Sequence, residues 1–194
     1  MPIEALITPL RPGVYYHVYN RGNNKETLFY YDGDYSFFLD KYYHYLADYL
    51  DTFAYCLLPN HFHFLIKIKD NAPDDYRVIS NQFRRLFICY TIRINNREGR
   101  SGSLLTKNFR RIEIQDENYF RNLIVYIHYN PVKHGLTTRF LEYKYSSFIP
   151  IIKNQLLGIN STEIYNWFGN QETFLENHQL IDKDYRLKNL IVDD

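Results

Sequence analysis

Two runs of strand-forming residues meet at a single Pro-Asn step. Thr52 to Leu58 is apolar, Pro59-Asn60 turns the chain, and His61 to Lys69 alternates between apolar and polar side chains. This is the pattern of an antiparallel hairpin, expected at the sheet centre. Any fold for this chain must be built around that hairpin. In its second arm, period-two alternation sends His61 and His63 to one face and Phe62 and Phe64 to the opposite, core-facing side.

The remaining elements arrange themselves around it. Val14 to Asn20 is rich in β-formers after Pro12-Gly13 and reads as a first strand, followed by the turn residues RGNNKE and a short strand at Thr27 to Tyr31. From Asp34 to about Leu50, Phe37, Phe38, Tyr42, Tyr45, Leu46 and Tyr49 recur at helical spacing, with Asp34 as cap. After a polar break at Asn71 to Asp75, a long helix from Tyr76 to about Asn96 carries Ile79, Phe83, Leu86, Phe87 and Tyr90 on its apolar face, and GRSGS ends it. Arg110 to Gln115 alternates as a last strand. Asp116 then caps a helix from about Glu117 that Pro131 is expected to stop near Tyr129. This order predicts an α+β domain over residues 1–150, a ferredoxin-like (RRM-like) antiparallel sheet with helices packed on one face. Residues 151–194 read as a C-terminal helical extension of unassigned role.

Length and composition narrow the class. A chain of 194 residues suits one domain and excludes two independent enzymatic ones, while 45% apolar and 23% charged residues exclude a disordered chain. The aromatic share of 18%, with 20 Tyr and 14 Phe, can serve either a core or a base-stacking surface. Cys56 and Cys89 sit in apolar surroundings without C-x-x-C spacing, so they are expected to be buried thiols of a reducing compartment. The start of the chain lacks a cationic leader, and no run approaches the roughly 20 apolar residues of a membrane span. A soluble, intracellular protein with no membrane partner is therefore expected. The net charge of +1 conceals a block from Arg84 to Arg111 in which Arg84, Arg85, Arg93, Arg97, Arg100, Lys107, Arg110 and Arg111 face Glu98 alone. Such a block is a polyanion-binding surface or a solvated helix face. From Ser161 onward acidic residues predominate.

Two constellations carry chemistry. Side by side on a sheet face, His61 and His63 could clamp one cation. Mixed sets of His with amide or carboxylate oxygens and open positions suit a catalytic Mn²⁺ or Mg²⁺ better than a closed zinc site. The same H-x-H spacing also suits two half-exposed histidines paired with neighbours. In Tyr126-Ile127-His128-Tyr129-Asn130-Pro131, residues four apart share a helical face, so the Tyr126 phenol could lie beside the Asn130 amide, a potential third ligand. Proline disfavours helical geometry in the residue before it, so this holds only if the last turn survives. Tyr126 could equally be a packing residue.

Taken together, these pieces resemble the single-tyrosine HUH transposases and, within them, the REP-associated tyrosine transposases. The matching segments are Tyr16-His17-Val18 with Arg21-Gly22-Asn23-Asn24, Leu58 to Leu65, Gly99 to Leu104, Tyr126 to Val132 and Tyr145-Ser146-Ser147, covering roughly residues 14 to 148. The resemblance implies that His61 and His63 are metal ligands, that Asn130 completes the site and that Tyr126 is the nucleophile. It further implies a 5′-phosphotyrosine intermediate with strand rejoining, a divalent cofactor (Mg²⁺ or Mn²⁺), single-stranded or hairpin DNA as partner, and a cytoplasmic, nucleoid-associated monomer or homodimer. Arg84, Arg85, Arg100, Lys107, Arg110 and Arg111 are the candidate DNA contacts. Leu105-Thr106-Lys107-Asn108-Phe109 departs from relatives, which more often place an aromatic and Gln near its first two positions, so DNA contacts there are expected to differ. The residues alone leave two other readings open: a non-catalytic nucleic-acid-binding module, and a metal-dependent phosphodiesterase that uses water.

Overall fold

The computed structural model describes residues 8–154 and 161–180. The sheet is formed by β1 (Tyr15–Arg21), β2 (Leu50–Leu58), β3 (His61–Ile68) and β4 (Arg110–Glu113), in the order β2-β3-β1-β4 with every pair antiparallel. The hairpin is the β2–β3 pair, with Leu58 opposite His61, but it is not central as expected: β3 is an inner strand and β2 the edge, whose outer side is partly met by the 145–147 segment through Leu57 N–H to Tyr145 C=O and Ser147 N–H to Tyr55 C=O. Helices α1 (Asp32–Leu46) and α2 (Tyr76–Glu98) connect the strands as a ferredoxin-like unit requires, and α3 (Glu117–Lys133), α4 (Phe148–Ile152), α5 (Ser161–Phe168) and α6 (Gln171–Gln179) follow. No helix among the described residues is long and apolar enough to cross a membrane.

Alternation along the strands divides the interior into two cores. Tyr16, Val18, Leu57, Phe62, Phe64, Ile66 and Ile68 face α1 and α2, where Phe38, Tyr42, Ile79, Phe83, Leu86 and Tyr90 meet them. The opposite face carries Ala54, Cys56, Leu58 and Leu65, buried by Phe120, Leu123, Ile124 and Ile127 of α3 and by Phe148, Ile164, Phe168 and Phe174 of the later helices. The ferredoxin-like unit thus keeps α1 and α2 on one face as expected, and helix coverage extends to the second face. The physical reason lies in β2, which carries apolar residues on both sides and must be covered twice, with His61, His63 and Leu65 of β3 buried beside it on the second face.

Several local expectations are corrected. Thr27 to Tyr31 is not a strand: Leu28 and Phe29 both donate their amides to the one carbonyl of Pro59, which leaves no alternating ladder to extend. Asp34 does not cap α1. Tyr31 holds the cap position, and the Asp34 carboxylate reaches back from the first turn to the Tyr30 and Tyr31 amides. That helix ends at Leu46, because Leu50 already opens β2. Pro131 does not stop α3, which runs on to Lys133. Proline forfeits one amide donor, whereas the turn around it is secured by His134 N–H to Asn130 C=O at 3.0 Å and Leu136 N–H to Pro131 C=O at 2.8 Å.

The described part of the C-terminal extension packs onto α3 through a buried polar chain. His178 Nδ1 lies 2.7 Å from the Phe174 carbonyl and must donate to it, so its Nε2 accepts from His128 Nδ1 at 2.8 Å. His128 Nε2 then accepts from Ser147 Oγ at 2.7 Å, and Ser147 Oγ accepts the Tyr55 amide at 2.8 Å. Trp167 stacks on Phe120 of α3, with ring centroids 4.3 Å apart.

Candidate active site in the cleft between β3 and α3

His61 and His63 lie on the α3 side of the sheet, as alternation requires. Neither is half-exposed: His61 is 9% and His63 1% accessible. Their rings stand edge to face with centroids 5.3 Å apart. His61 Nδ1 is 2.7 Å from Asn60 Oδ1. A carboxamide oxygen only accepts, so the proton sits on Nδ1 and the lone pair of His61 is on Nε2. Asn60, read from sequence as a turn residue, therefore also orients the first imidazole. His63 Nδ1 is 3.0 Å from Nε2 of His17, a fully buried histidine on β1.

Helix α3 lies across this pair with three residues of one stripe. The Tyr126 ring is 5.9 Å from that of His63, and the His134 ring is 4.7 Å from that of His61. Asn130 occupies the turn between them because positions four apart share a face. Its side chain is fully buried, and Nδ2 donates to the Tyr126 carbonyl at 3.3 Å. Asn130 Oδ1 accepts no hydrogen bond among the described residues. The continuation of α3 through Pro131 thus preserves the relation between Tyr126 and Asn130 on which their juxtaposition depends. The Tyr126 hydroxyl accepts a hydrogen bond from Lys133 Nζ at 3.2 Å, and that ammonium lies 5.0 Å from the centre of the same ring. Among the described residues no group of three or more His, Cys, Asp or Glu is placed to hold a metal ion. Any cation here would rest on two imidazoles and a neutral amide.

A cleft of about 280 Å³ opens beside the histidines, walled by Tyr19, Arg21, Lys25, Lys107, Arg110 and His134. Thr106 and Lys107 also border a second groove of about 660 Å³ that runs along α2 and is lined by Arg77, Arg84, Phe87, Phe109 and Arg111. The basic block is therefore divided by the fold. Lys107 and Arg110 reach the histidine cleft, and Arg84 and Arg111 line the adjoining groove. Arg111 is half-buried over the Phe109 ring and donates to Ser80 Oγ at 2.8 Å, and burial pulls its pKa below the usual guanidinium range. Arg85 and Arg100 line neither depression: Arg85 lies over Tyr45, and Arg100 is paired with Glu26 and Asn95. Arg97 and Arg93 serve the buried Asp34 carboxylate.

Besides Asn60, contributors that sequence alone did not single out include His17, Tyr19, Arg21, Lys25, Lys133 and His134. His17 shares the phase of Tyr15 and Tyr19 on β1, a signal that becomes readable only once the β1–β3 register is known. Lys133 and His134 continue the Tyr126 face beyond Pro131, where the helix was expected to have ended.

No family model matches the chain. A Haemophilus influenzae protein named as a REP-associated tyrosine transposase is 32% identical over 130 residues, covering 63% of this chain and 69% of that one. Among solved structures, a REP-associated tyrosine transposase bound to a REP hairpin superposes with a TM-score of 0.61 at 20% identity, covering 77% of this chain and 85% of the other; at that identity the match bears on the fold. With over two thirds of a relative aligned at that identity, and a shared fold beneath it, this chain belongs to the REP-associated tyrosine transposases.

Proposed function

We propose that this transposase cleaves single-stranded DNA beside a hairpin and rejoins it through a 5′-phosphotyrosine intermediate, with Tyr126 as nucleophile and His61, His63 and Asn130 holding a divalent cation. The observation that carries this reading is the stripe on α3 that sets Tyr126 against His63 and His134 against His61, with Asn130 between them. The donor set suits the ion. The Asn60 contact leaves the lone pair of His61 on Nε2, and the Asn130 amide oxygen is buried with no hydrogen-bond donor among the described residues. Bound there, Mg²⁺ or Mn²⁺ would polarise the scissile phosphate and stabilise charge on the departing 3′ oxygen.

The protein's own groups do the rest. A tyrosine hydroxyl with an ordinary pKa near 10 is a weak nucleophile at neutral pH. Lys133 supplies positive charge at the oxygen that must lose its proton, and holds the hydroxyl in one direction for in-line attack. As Tyr126 Oη bonds to phosphorus, the bond from phosphorus to the 3′ oxygen breaks and that oxygen leaves as a 3′-OH. The phosphodiester energy is kept in the adduct, so a 3′-OH can reverse the step and join strands without ATP. Lys107 and Arg110 beside the histidines, and Arg84 and Arg111 in the adjoining groove, supply a basic path for the strand, with Tyr19 and Phe109 as aromatic faces. We assign the reaction to residues 1–150 and leave 151–194 as an extension of that domain. Support for the hairpin comes from the related transposase solved bound to a REP hairpin.

The test uses hairpin DNA with a single-stranded flank, labelled at its 3′ end, incubated with protein and Mn²⁺ or Mg²⁺ and resolved on a denaturing protein gel. A labelled band at protein mass, absent with EDTA and in Tyr126→Phe, is the expected result. Cleavage without that band would instead identify water as the nucleophile, and binding with neither would identify a non-catalytic module.

A further inference from the structure

Of the side chains around the cleft, His17 has no part in the scheme above, yet it is among the most completely buried polar residues of the sheet. It lies on β1 opposite Leu65, two positions from the Tyr19–His63 pair, and so projects to the same face as His61 and His63. Its Nε2 is 3.0 Å from His63 Nδ1, with the two rings 5.2 Å apart and only 22° from parallel. Tyr19 closes the set, its ring 4.9 Å from His17 and 5.7 Å from His63. Packing from three sides gives the His63 ring one plane, and the hydrogen bond gives it one direction.

A bond between two neutral imidazoles needs a proton on one nitrogen and a lone pair on the other. If His63 Nε2 presents a lone pair toward a cation, the His63 proton must sit on Nδ1, and His17 must then be the acceptor through Nε2. The alternative, with His17 donating, would place the His63 proton on Nε2 and block that nitrogen. Metal-ligating histidines generally donate their second ring N–H to an acceptor that fixes the tautomer, most often a carboxylate, a carbonyl or water. Among the described residues, His17 provides the hydrogen-bonding atom at that position. An imidazole acceptor is neutral, so it orients His63 without adding negative charge beside a phosphate.

The geometry points to His17 as a positioning residue that holds His63 as its Nδ1–H tautomer and so prepares Nε2 for a divalent cation. This rests on the metal-site reading above. His17 itself is not a ligand in this arrangement, since the nitrogen it turns toward the site is engaged with His63.

The experiment combines imidazole ¹⁵N NMR on the metal-free full chain with Mn²⁺ titration, followed by calorimetry, of the wild type, His17→Gln, His17→Phe and His63→Ala. The wild-type spectrum should show the His63 proton on Nδ1 and the His17 proton away from Nε2. His17→Phe keeps the ring stack and removes the acceptor, and should weaken Mn²⁺ binding about 10- to 100-fold. His17→Gln can offer an amide oxygen at the same place and should recover most of that loss, a rescue that a purely packing role would not give. Single-stranded DNA binding in EDTA should be alike in the wild type, His17→Gln and His17→Phe. Wild-type Mn²⁺ affinity in His17→Phe, no rescue by His17→Gln, or a His63 proton found on Nε2 would each overturn the assignment while leaving the metal site standing. Failure of the wild type itself to bind Mn²⁺ any better than His63→Ala would overturn the metal reading and the His17 role together. If His17→Phe fails to fold, the wild-type tautomer and the His17→Gln titration still decide.

Discussion

Lys133 Nζ lies 3.2 Å from the hydroxyl of Tyr126, seven residues earlier on the same helix. Positions seven apart return to one face after two turns, so the pairing exists only because α3 continues past Pro131. Replacing Lys133 with Met keeps the stem over the ring and removes the charge. Adduct formation on hairpin DNA should slow on the order of 100-fold, the scale of losing one donor at a reacting oxygen. Single-turnover labelling would measure the rate, and binding in EDTA should stay within a factor of about two because one exposed cation contributes little.

Asp34 and Arg97 form a bidentate ion pair beneath the α1 N-terminus. Burial pushes the Asp34 pKa upward, but the Arg97 guanidinium and the Tyr30 and Tyr31 amides outweigh it and hold the carboxyl below its ordinary 3.8. A depressed carboxylate contributes stability that is present above that value and is lost as pH falls through the folded-state pKa. Arg97→Ala should therefore cost about 3 kcal/mol at pH 7, because a buried charge loses its partner. Urea unfolding at pH 7 and pH 3 should show wild type weakening in acid and the variant changing far less.

The His128–His178 pair ties the extension to α3 in its neutral form. Burial, together with the neighbouring His178, lowers the His128 pKa, and burial brings His178 down to about 4 despite the Phe174 carbonyl. A histidine depressed on folding favours the folded state above its ordinary 6.5, and that contribution is lost as pH falls from 6.5 toward the folded value. Docking of α5 and α6 should weaken progressively as pH falls from 6.5 toward 4, by on the order of 3 kcal/mol from His178. Trp167 is the single tryptophan, so its fluorescence reports on the stack with Phe120 directly. In His178→Phe the acid transition should shrink to the part that the buried His128 carries.

Gly22 sits where the chain leaves β1 for the loop bearing Lys25. A Cβ there would stand 2.1 Å from the carbonyl oxygen of Glu26, a backbone atom that cannot swing aside. Gly22 N–H also donates to the Asn60 carbonyl at 2.8 Å, next to His61. Gly22→Ala should cost about 1 to 3 kcal/mol and displace Arg21 and Lys25 at the cleft mouth. Thermal unfolding would give the first quantity, and salt-dependent DNA binding would show the second as a shallower slope.

The hairpin, the two long helices and the strand order were legible in the residues because alternation and 3.6-residue periodicity are local properties. So was the placement of His61 and His63 on one face, which follows from period two alone. What misled was also local. Proline is locally a stop, yet one missing amide donor near the end of a helix is outweighed when Tyr126, Asn130 and Pro131 are all buried. The sequence by itself determined which side chains share a face and which segments could be strands or helices. Only the tertiary structure decided that β1 lies beside β3 and so gives His63 a histidine partner, and that α3 covers the second sheet face with Tyr126, Asn130 and His134. It also divided the basic block, committing some arginines to Asp34 and Glu26 and turning others toward the cleft. Those outcomes depend on contacts between residues far apart in the chain, set by the need to bury both sides of β2 and the histidine-bearing face of β3.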